Sequence, residues 1–401
     1  APGMDLLTEY TREYDTAKQV ASAARQFGRK WRLTETYGCT GWDFSWAGHK
    51  ALSDWQAALG INLRCQHLAW YTMQGEAKRD YPAGIFYQSP WWAHYKKVED
   101  YFARVHVAMT RGKEVRDVLV VHPVESMWLL YAKANQAERE ALQDSFWRVR
   151  DSLLAANLDF DYGDEDILAR HGAVRRTADG AVLQVAQAEY RVVVVPPMWT
   201  IRRSTLALLR KFREAGGEVV FAGPAATLVN AEPSEAAQTL AAECTRAPAR
   251  GEKLAAAVEP RGRRVSITDA AGRQIAQTLY LLREDANALY LFVVNTSHDY
   301  IGRKPGEPMV RDRTIAFDDV RVSIATDSRM APVELDCETG RTLATDARRA
   351  GAGWEIRTRL PAIGSRLFVL PKKALRMKVL PRRTEKTVAV RTIKPKAWSV
   401  Q

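Results

Sequence analysis

The strongest constraint on this chain is the order of periods near its start. A helical pattern gives way to a strand pattern, then the pair repeats, with glycines marking the junctions. Residues 15–28 read as a helix with Asp15 or Thr16 as its cap, with Val20, Ala24 and Phe27 along one face, and Gly28 where a left-handed residue closes it. Lys30 to Thr36 reads as a short strand, followed by a loop marked by Gly38 and Gly41. A second helix, Trp46 to Leu59, faces inward through Leu52, Trp55 and Leu59 and stops at Gly60. Ile61 to Tyr71 is the next strand, and after a long loop Trp91 to Thr110 forms a helix with Val98, Phe102, Val105 and Met109 inward. Helix–strand alternation of this kind implies parallel βα units. The strands are too few to close a barrel alone, so residues 1–112 are expected to be the C-terminal part of a (β/α)8 barrel whose earlier strands lie upstream.

The pattern changes near Lys113. Val115–His122 is a near-continuous apolar strand, residues 138–156 a helix carrying Leu142, Phe146, Val149 and Leu153, and Leu158–Tyr162 a second strand. The unbroken valines of 190–195 predict a strand buried on both faces. A helix over 204–215 and a strand over 218–223 complete a flavodoxin-like doubly wound domain, 113–258. From Arg263 the period becomes two, in 278–283, 288–295, 320–324, 354–360 and 365–370, with turns at Asp285-Ala-Asn and Gly340. That predicts a β-sandwich over 259–375. Residues 376–401 are then a linker or the start of a further β domain. The fold class is therefore α/β plus all-β.

Chemistry concentrates at the end of the first predicted strand. Glu35 sits where a parallel barrel carries its catalytic groups. For a lone Glu a rim salt bridge would be the better reading, but Tyr37, Trp42, Trp46, His67, Trp70, Tyr71, Trp91 and Trp92 crowd the same stretch, against 9% aromatic overall. Sugar rings offer C–H faces that stack on aromatics and hydroxyls that need charged or amide partners. A glycosidase also needs paired carboxylates. His67 reads equally as a ligand for a sugar hydroxyl and as a satisfied core histidine. Arg64 lies in the same strand. Asp5, at the end of a preceding strand, faces the same mouth, and Asp43 serves either an Asx turn or the substrate.

Other classes are weaker. The formal charge is +12, but Lys and Arg are dispersed. Only Lys372, Lys373, Arg376, Lys378, Arg382, Arg383 and Lys386 cluster, in alternation with apolar residues, so nucleic-acid binding is a poor second. No apolar run is long enough to span a membrane. Neither HExxH nor an EF-hand loop occurs, so spacing implies no metal and no cofactor is called for. The doubly wound segment has no GxGxxG after its first strand, no P-loop, and no cysteine between Cys65 and Cys244, which leaves it a structural role or a homo-oligomer surface. Cys39 and Cys65 could come close; two free buried thiols are the favoured reading over a disulfide, so cysteine usage leaves a periplasmic, secreted or cytoplasmic bacterial location open. The start, Ala1-Pro-Gly-Met-Asp, suggests a fragment or processed chain.

The stretch Thr34-Glu-Thr-Tyr-Gly-Cys-Thr-Gly-Trp-Asp-Phe, with Asp54-Trp-Gln, Gly60-Ile-Asn, Gln66-His-Leu, Lys78-Arg-Asp-Tyr-Pro and Pro90-Trp-Trp, resembles bacterial glycoside hydrolases of the α-L-rhamnosidase-like group. The resemblance runs on through Tyr101-Phe-Ala-Arg and Val115-Arg-Asp-Val-Leu-Val-Val-His-Pro. It implies a glycosidase acting on oligo- or polysaccharides, with Glu35 as a nucleophile in a retaining enzyme or a general base or acid in an inverting one. The other carboxylate would come from an earlier strand, so this chain alone would be inactive. Calcium is implied by the resemblance only, with no ligand set to carry over. The competing expectation is a non-catalytic carbohydrate-binding or assembly protein on an incomplete barrel.

Overall fold

In the computed structural model, the residues described are 1–8, 13–296, 314–374 and 378–382. The carboxyl-terminal segment expected to be a linker or further domain therefore lies almost wholly outside them. The first unit is a three-stranded parallel sheet of β1 (Gly3–Leu6), β2 (Leu33–Thr36) and β3 (Leu63–Gln66), in that order. Helix α1 (Tyr14–Gln26) joins β1 to β2, α2 (Trp46–Ala58) joins β2 to β3, and α3 (Lys96–Met109) follows β3. Ser45 caps α2 by accepting the Gly48 amide. The sheet has one covered face, where Met4, Leu6, Thr34 and Thr36 are buried.

Two expectations change here. The strand expected over 61–71 ends at Gln66, because its partner ends first. Tyr37 has a φ of +75° and turns the chain away from the ladder. The last rung is the His67 amide on the Thr36 carbonyl at 2.8 Å, and no backbone lies beyond it to pair with. In α1, Val20 and Phe27 are only half-buried, whereas Tyr14, Ala17, Lys18, Ala21, Ser22, Ala24 and Gln26 face the interior. Apart from Tyr14, this helix packs through small and polar residues, among them a lysine. The reason is the charge it meets.

Five parallel strands form the second sheet, in the spatial order Thr245–Ala247, Glu218–Ala222, Val192–Val195, Val118–Val121, Phe160–Gly163. Alternate residues of these strands enter two different cores. Val118, Val120, Val192 and Val194 pack with Phe146, Val149 and Leu153 of the helix Gln136–Ala155, while Leu119, Val121, Val193 and Val195 pack with Leu206, Leu209 and Phe212 of the helix Arg203–Glu214. Burial on both faces explains the unbroken valine run. An antiparallel three-stranded sheet over Gly172–Tyr190, and the short strand Thr245–Ala247, had no sequence expectation. Two antiparallel sheets follow, one of Val265–Thr268, Phe317–Ala325, Gly353–Leu360 and Asp346–Ala350, the other centred on Thr278–Glu284, Ala288–Asn295 and Ser365–Pro371. The strand Lys113–Glu114 joins the second of these by pairing with Arg283 and Glu284. All four cysteines are free, and Cys65 is exposed, contrary to the expectation of a buried thiol.

A buried charge cluster ties the three parts together. Arg116 reaches Asp159 at 2.5 Å, Glu114 at 2.6 Å and Asp161 at 3.1 Å. From α1, Lys18 pairs with Asp159 and Arg25 with Asp161, each at 2.6 Å. Arg32 and Arg283 both hold Glu114, at 2.6 and 2.7 Å. Burial alone would raise the Glu114 carboxyl, but Arg116, Arg32 and Arg283 together hold it below its ordinary range. Removing one partner of such a set strands the others in a dry interior, at a cost of about 3–5 kcal/mol. Arg116→Met is expected to lose stability of that order in urea denaturation; a loss under about 1 kcal/mol would show that the cluster is not holding the units together.

Candidate active site

In a strand, alternate side chains take opposite faces. The register pairs Asp5 with Glu35 and Glu35 with Cys65, so these three form one row across β1, β2 and β3. They lie on the face opposite the helices, with Asp5 and Cys65 exposed and Glu35 half-buried. Neighbouring strands lie about 4.8 Å apart, so Asp5 and Glu35 are adjacent carboxylates on one open surface. The other parity faces the helices. There Thr34 accepts the Gln56 amide of α2 at 3.2 Å. The Glu35 carboxylate has no hydrogen-bond or ion-pair partner among the described residues, so the rim salt bridge that a lone Glu invites is not formed among them.

Arg64 belongs to the helix side. It pairs with Glu99 at 2.7 Å, donates to the Tyr37 hydroxyl at 3.0 Å and lies over the Phe102 ring at 4.2 Å. Tyr37 is fully buried there as well, its hydroxyl 2.6 Å from Ser53 Oγ. Simple alternation would have put Tyr37 on the Glu35 face; its positive φ turns the ring back under α2. Burial pushes its phenol above the ordinary range, so it is a neutral hydroxyl. His49 of α2 packs against this ring at a tilt, with centroids 4.5 Å apart and its Nδ1 2.9 Å from the Ser45 carbonyl, and burial lowers its pKa to about 4.

The remaining candidates sit in the two loops beyond β2 and β3. The His67 ring leans over Gly38, where a Cβ would stand 3.1 Å from His67 Cδ2 and 2.5 Å from Leu7 Cδ2, so a side chain here would push on both. His67 Nε2 lies 3.3 Å from Asp80 Oδ2. Trp42 and Trp70 meet edge to face at 6.2 Å, with Trp42 41% exposed and Trp70 buried. The Trp70 indole N–H has no acceptor among the described residues. Tyr71 is 98% exposed and Asp43 is exposed. The structure thus brings Asp5 and Glu35 into one row, gathers His67, Trp42 and Trp70 in the loops past its carboxyl end, and turns Tyr37 and Arg64 to the opposite face. Asp80 had no role in the sequence reading. Its signal was an acidic residue in the loop after a strand whose end already held a histidine. Among the described residues no group of three or more His, Cys, Asp or Glu side chains could hold a metal ion, and no helix is long and apolar enough to cross a membrane.

No family profile matches the chain, and no curated protein does. Solved structures do. A rhamnosidase from Novosphingobium sp. PP1Y matches with a TM-score of 0.66 at 17% identity, over 97% of this chain and 36% of that one. An α-L-fucosidase isoenzyme 2 from Paenibacillus thiaminolyticus matches at 0.50 and 12% identity, over 90% of this chain and 63% of that one. Gan42B, a GH42 β-galactosidase from G. stearothermophilus, matches at 0.50 and 12%, over 92% and 59%. The chain therefore has a fold shared with glycoside hydrolases, and it spans from about a third to under two thirds of the length of these structures.

The packing of Arg64 and His49 can be tested by substitution. Arg64→Ala is expected to lower stability by roughly 2–3 kcal/mol in urea denaturation through its lost charge-assisted bonds; an unchanged urea midpoint would show that these bonds do not hold the helix side together. Below pH 6.5 the unfolded chain protonates His49 while the folded chain stays neutral to about 4. Stability from this residue is full above pH 6.5 and falls as pH drops through that window, by up to ~3 kcal/mol. Urea midpoints of wild type and His49→Gln should diverge in slope between pH 7 and 4.5; parallel curves would contradict this.

Proposed function

We propose that the chain is part of a glycoside hydrolase and that Glu35 is one of its catalytic carboxylates. The observation that carries this reading is the position of Glu35, half-buried at the carboxyl end of a parallel strand, on the open face, with no partner among the described residues. A carboxylate kept unpaired at this edge is available to attack, to activate water or to protonate a leaving oxygen. Asp5 beside it and the Trp42–Trp70 corner beyond it offer what a sugar needs, polar partners and a flat apolar surface.

In this reading β1, β2 and β3 are late strands of a (β/α)8 barrel, residues 1–112. The five-stranded sheet, whose first and third strands lie side by side at its centre, is a flavodoxin-like doubly wound domain, 113–258. The two antiparallel sheets form a β-sandwich, 259–375. The second catalytic carboxylate belongs to an earlier strand. The likeness to the Novosphingobium rhamnosidase, together with the motifs around Glu35, favours an α-L-rhamnoside as substrate.

The test is hydrolysis of p-nitrophenyl α-L-rhamnopyranoside by the full-length protein. Glu35→Gln is expected to lower kcat by a factor of about 10³ or more while leaving the urea midpoint unchanged, since loss of a catalytic group of this kind is worth several kcal/mol in the transition state. Unchanged turnover would overturn the assignment. Sugar binding with no hydrolysis by the full-length wild-type protein would instead favour a carbohydrate-binding role.

A further inference from the structure

Asp80, in the motif Lys78-Arg-Asp-Tyr-Pro, is where the two loops at the mouth are joined. Its side chain faces one loop, with Oδ2 3.3 Å from Nε2 of His67. Its main chain faces the other: the Asp80 carbonyl accepts the Trp42 indole N–H at 3.1 Å. The carbonyl of Tyr81, next in sequence, accepts the Gly41 amide at 2.7 Å. Asp80 Oδ1 accepts the Tyr81 amide at 2.9 Å, which orients the carboxylate relative to its own backbone. One residue therefore holds a histidine through its side chain and a tryptophan through its carbonyl.

The two groups it holds are both incompletely used. His67 is 29% exposed in its side chain, and its Nδ1 has no hydrogen-bond partner among the described residues. Its ring is seated on Gly38, three residues past Glu35, and its amide on Thr36, one residue past it. Trp42 presents 41% of its surface, and its edge contact with Trp70 makes an apolar corner. With Nε2 directed at the Asp80 carboxylate, the imidazole leaves Nδ1 as its second hydrogen-bonding atom, an acceptor in the Nε2–H tautomer. An acceptor beside an indole face matches a sugar ring, which presents a hydroxyl donor at its rim and C–H groups on its face.

We infer that Asp80 is a positioning residue for sugar binding: its carboxylate fixes the tautomer and orientation of His67, which accepts a sugar hydroxyl, and its carbonyl sets the stacking wall of Trp42. This rests on the reading of the mouth as a glycoside site. A purely structural clasp would need only the backbone contacts; the inference requires the carboxylate itself. Asp80→Asn separates the two, because it keeps the backbone contacts and the shape but offers an amide in place of an acceptor-only group.

The experiment is titration of the full-length protein with L-rhamnose, followed by tryptophan fluorescence, alongside kinetics on p-nitrophenyl α-L-rhamnopyranoside. Asp80→Asn and His67→Ala are each expected to weaken the L-rhamnose Kd about tenfold and raise KM in step, with kcat within threefold and an unchanged urea midpoint. The double variant should bind no more weakly than either single one, because both act through one contact. Asp80→Glu should recover part of the affinity. Wild-type affinity and KM in a folded Asp80→Asn variant, losses that add in the double variant, or no binding of L-rhamnose by the wild type would each overturn the inference. Glu35→Gln distinguishes it from the functional reading: that variant should bind L-rhamnose normally and fail to turn over. If it turns over, the catalytic assignment falls while the titration still decides Asp80.

Discussion

Arg116 is the point on which the arrangement of this protein depends. Its guanidinium is completely buried and is met by Glu114 from the strand Lys113–Glu114 and by Asp159 and Asp161 at the strand Phe160–Gly163. The same carboxylates are shared with Lys18 and Arg25 of α1, with Arg32 just before β2 and with Arg283 of an antiparallel sheet. Charges taken out of water must be matched in place, and here the matching partners belong to all three parts of the molecule. Arg116 Nη2 and Arg32 Nε are buried with no acceptor among the described residues, so not every donor of the set is matched. A shift of one part against another would break several pairs at once.

This constraint reaches the open face of the first sheet. Helix α1 connects β1 to β2 and is anchored by two cations to the second sheet, while Arg32 anchors the entry to β2. The backbone positions of Asp5 and Glu35 are thus referred to a rigid, buried network on the covered side. Above them the loops are held by fewer bonds, those around Asp80 and Gly38. Such a division suits binding chemistry: a fixed carboxylate on a strand, and a wall of aromatic and imidazole groups on loops that are braced but exposed.

Much of this was legible in the sequence, and the gaps have physical causes. The parallel βα order, the inward faces of α3 and of the helix Gln136–Ala155 and the doubly buried valine strand followed from local periodicity and agree with the structure; the strands expected after Arg263 are present, but Thr278–Glu284 and Ala288–Asn295 are buried on both faces and do not alternate. What failed depended on distant partners. Strand β3 stopped at Gln66 because β2 had already ended. Lys18 lay inward because Asp159, far along the chain, was there to receive it. Tyr37 left the Glu35 face because of one positive φ, which no alternation rule contains. Around the candidate site, the row of Asp5 and Glu35 was accessible from strand ends and parity. The Asp80 contacts were not, since they join loops that fold back from opposite directions.

The most direct test of the account is a crystal structure of the full-length Glu35→Gln protein with p-nitrophenyl α-L-rhamnopyranoside bound. The account predicts the sugar seated against Trp42 and a hydroxyl on His67. It places the substituted amide side chain either about 3–3.5 Å from the anomeric carbon or bonded to a water or leaving oxygen at that distance from it. A sugar bound elsewhere, or a side chain from another part of the protein covering the end of β2, would contradict it.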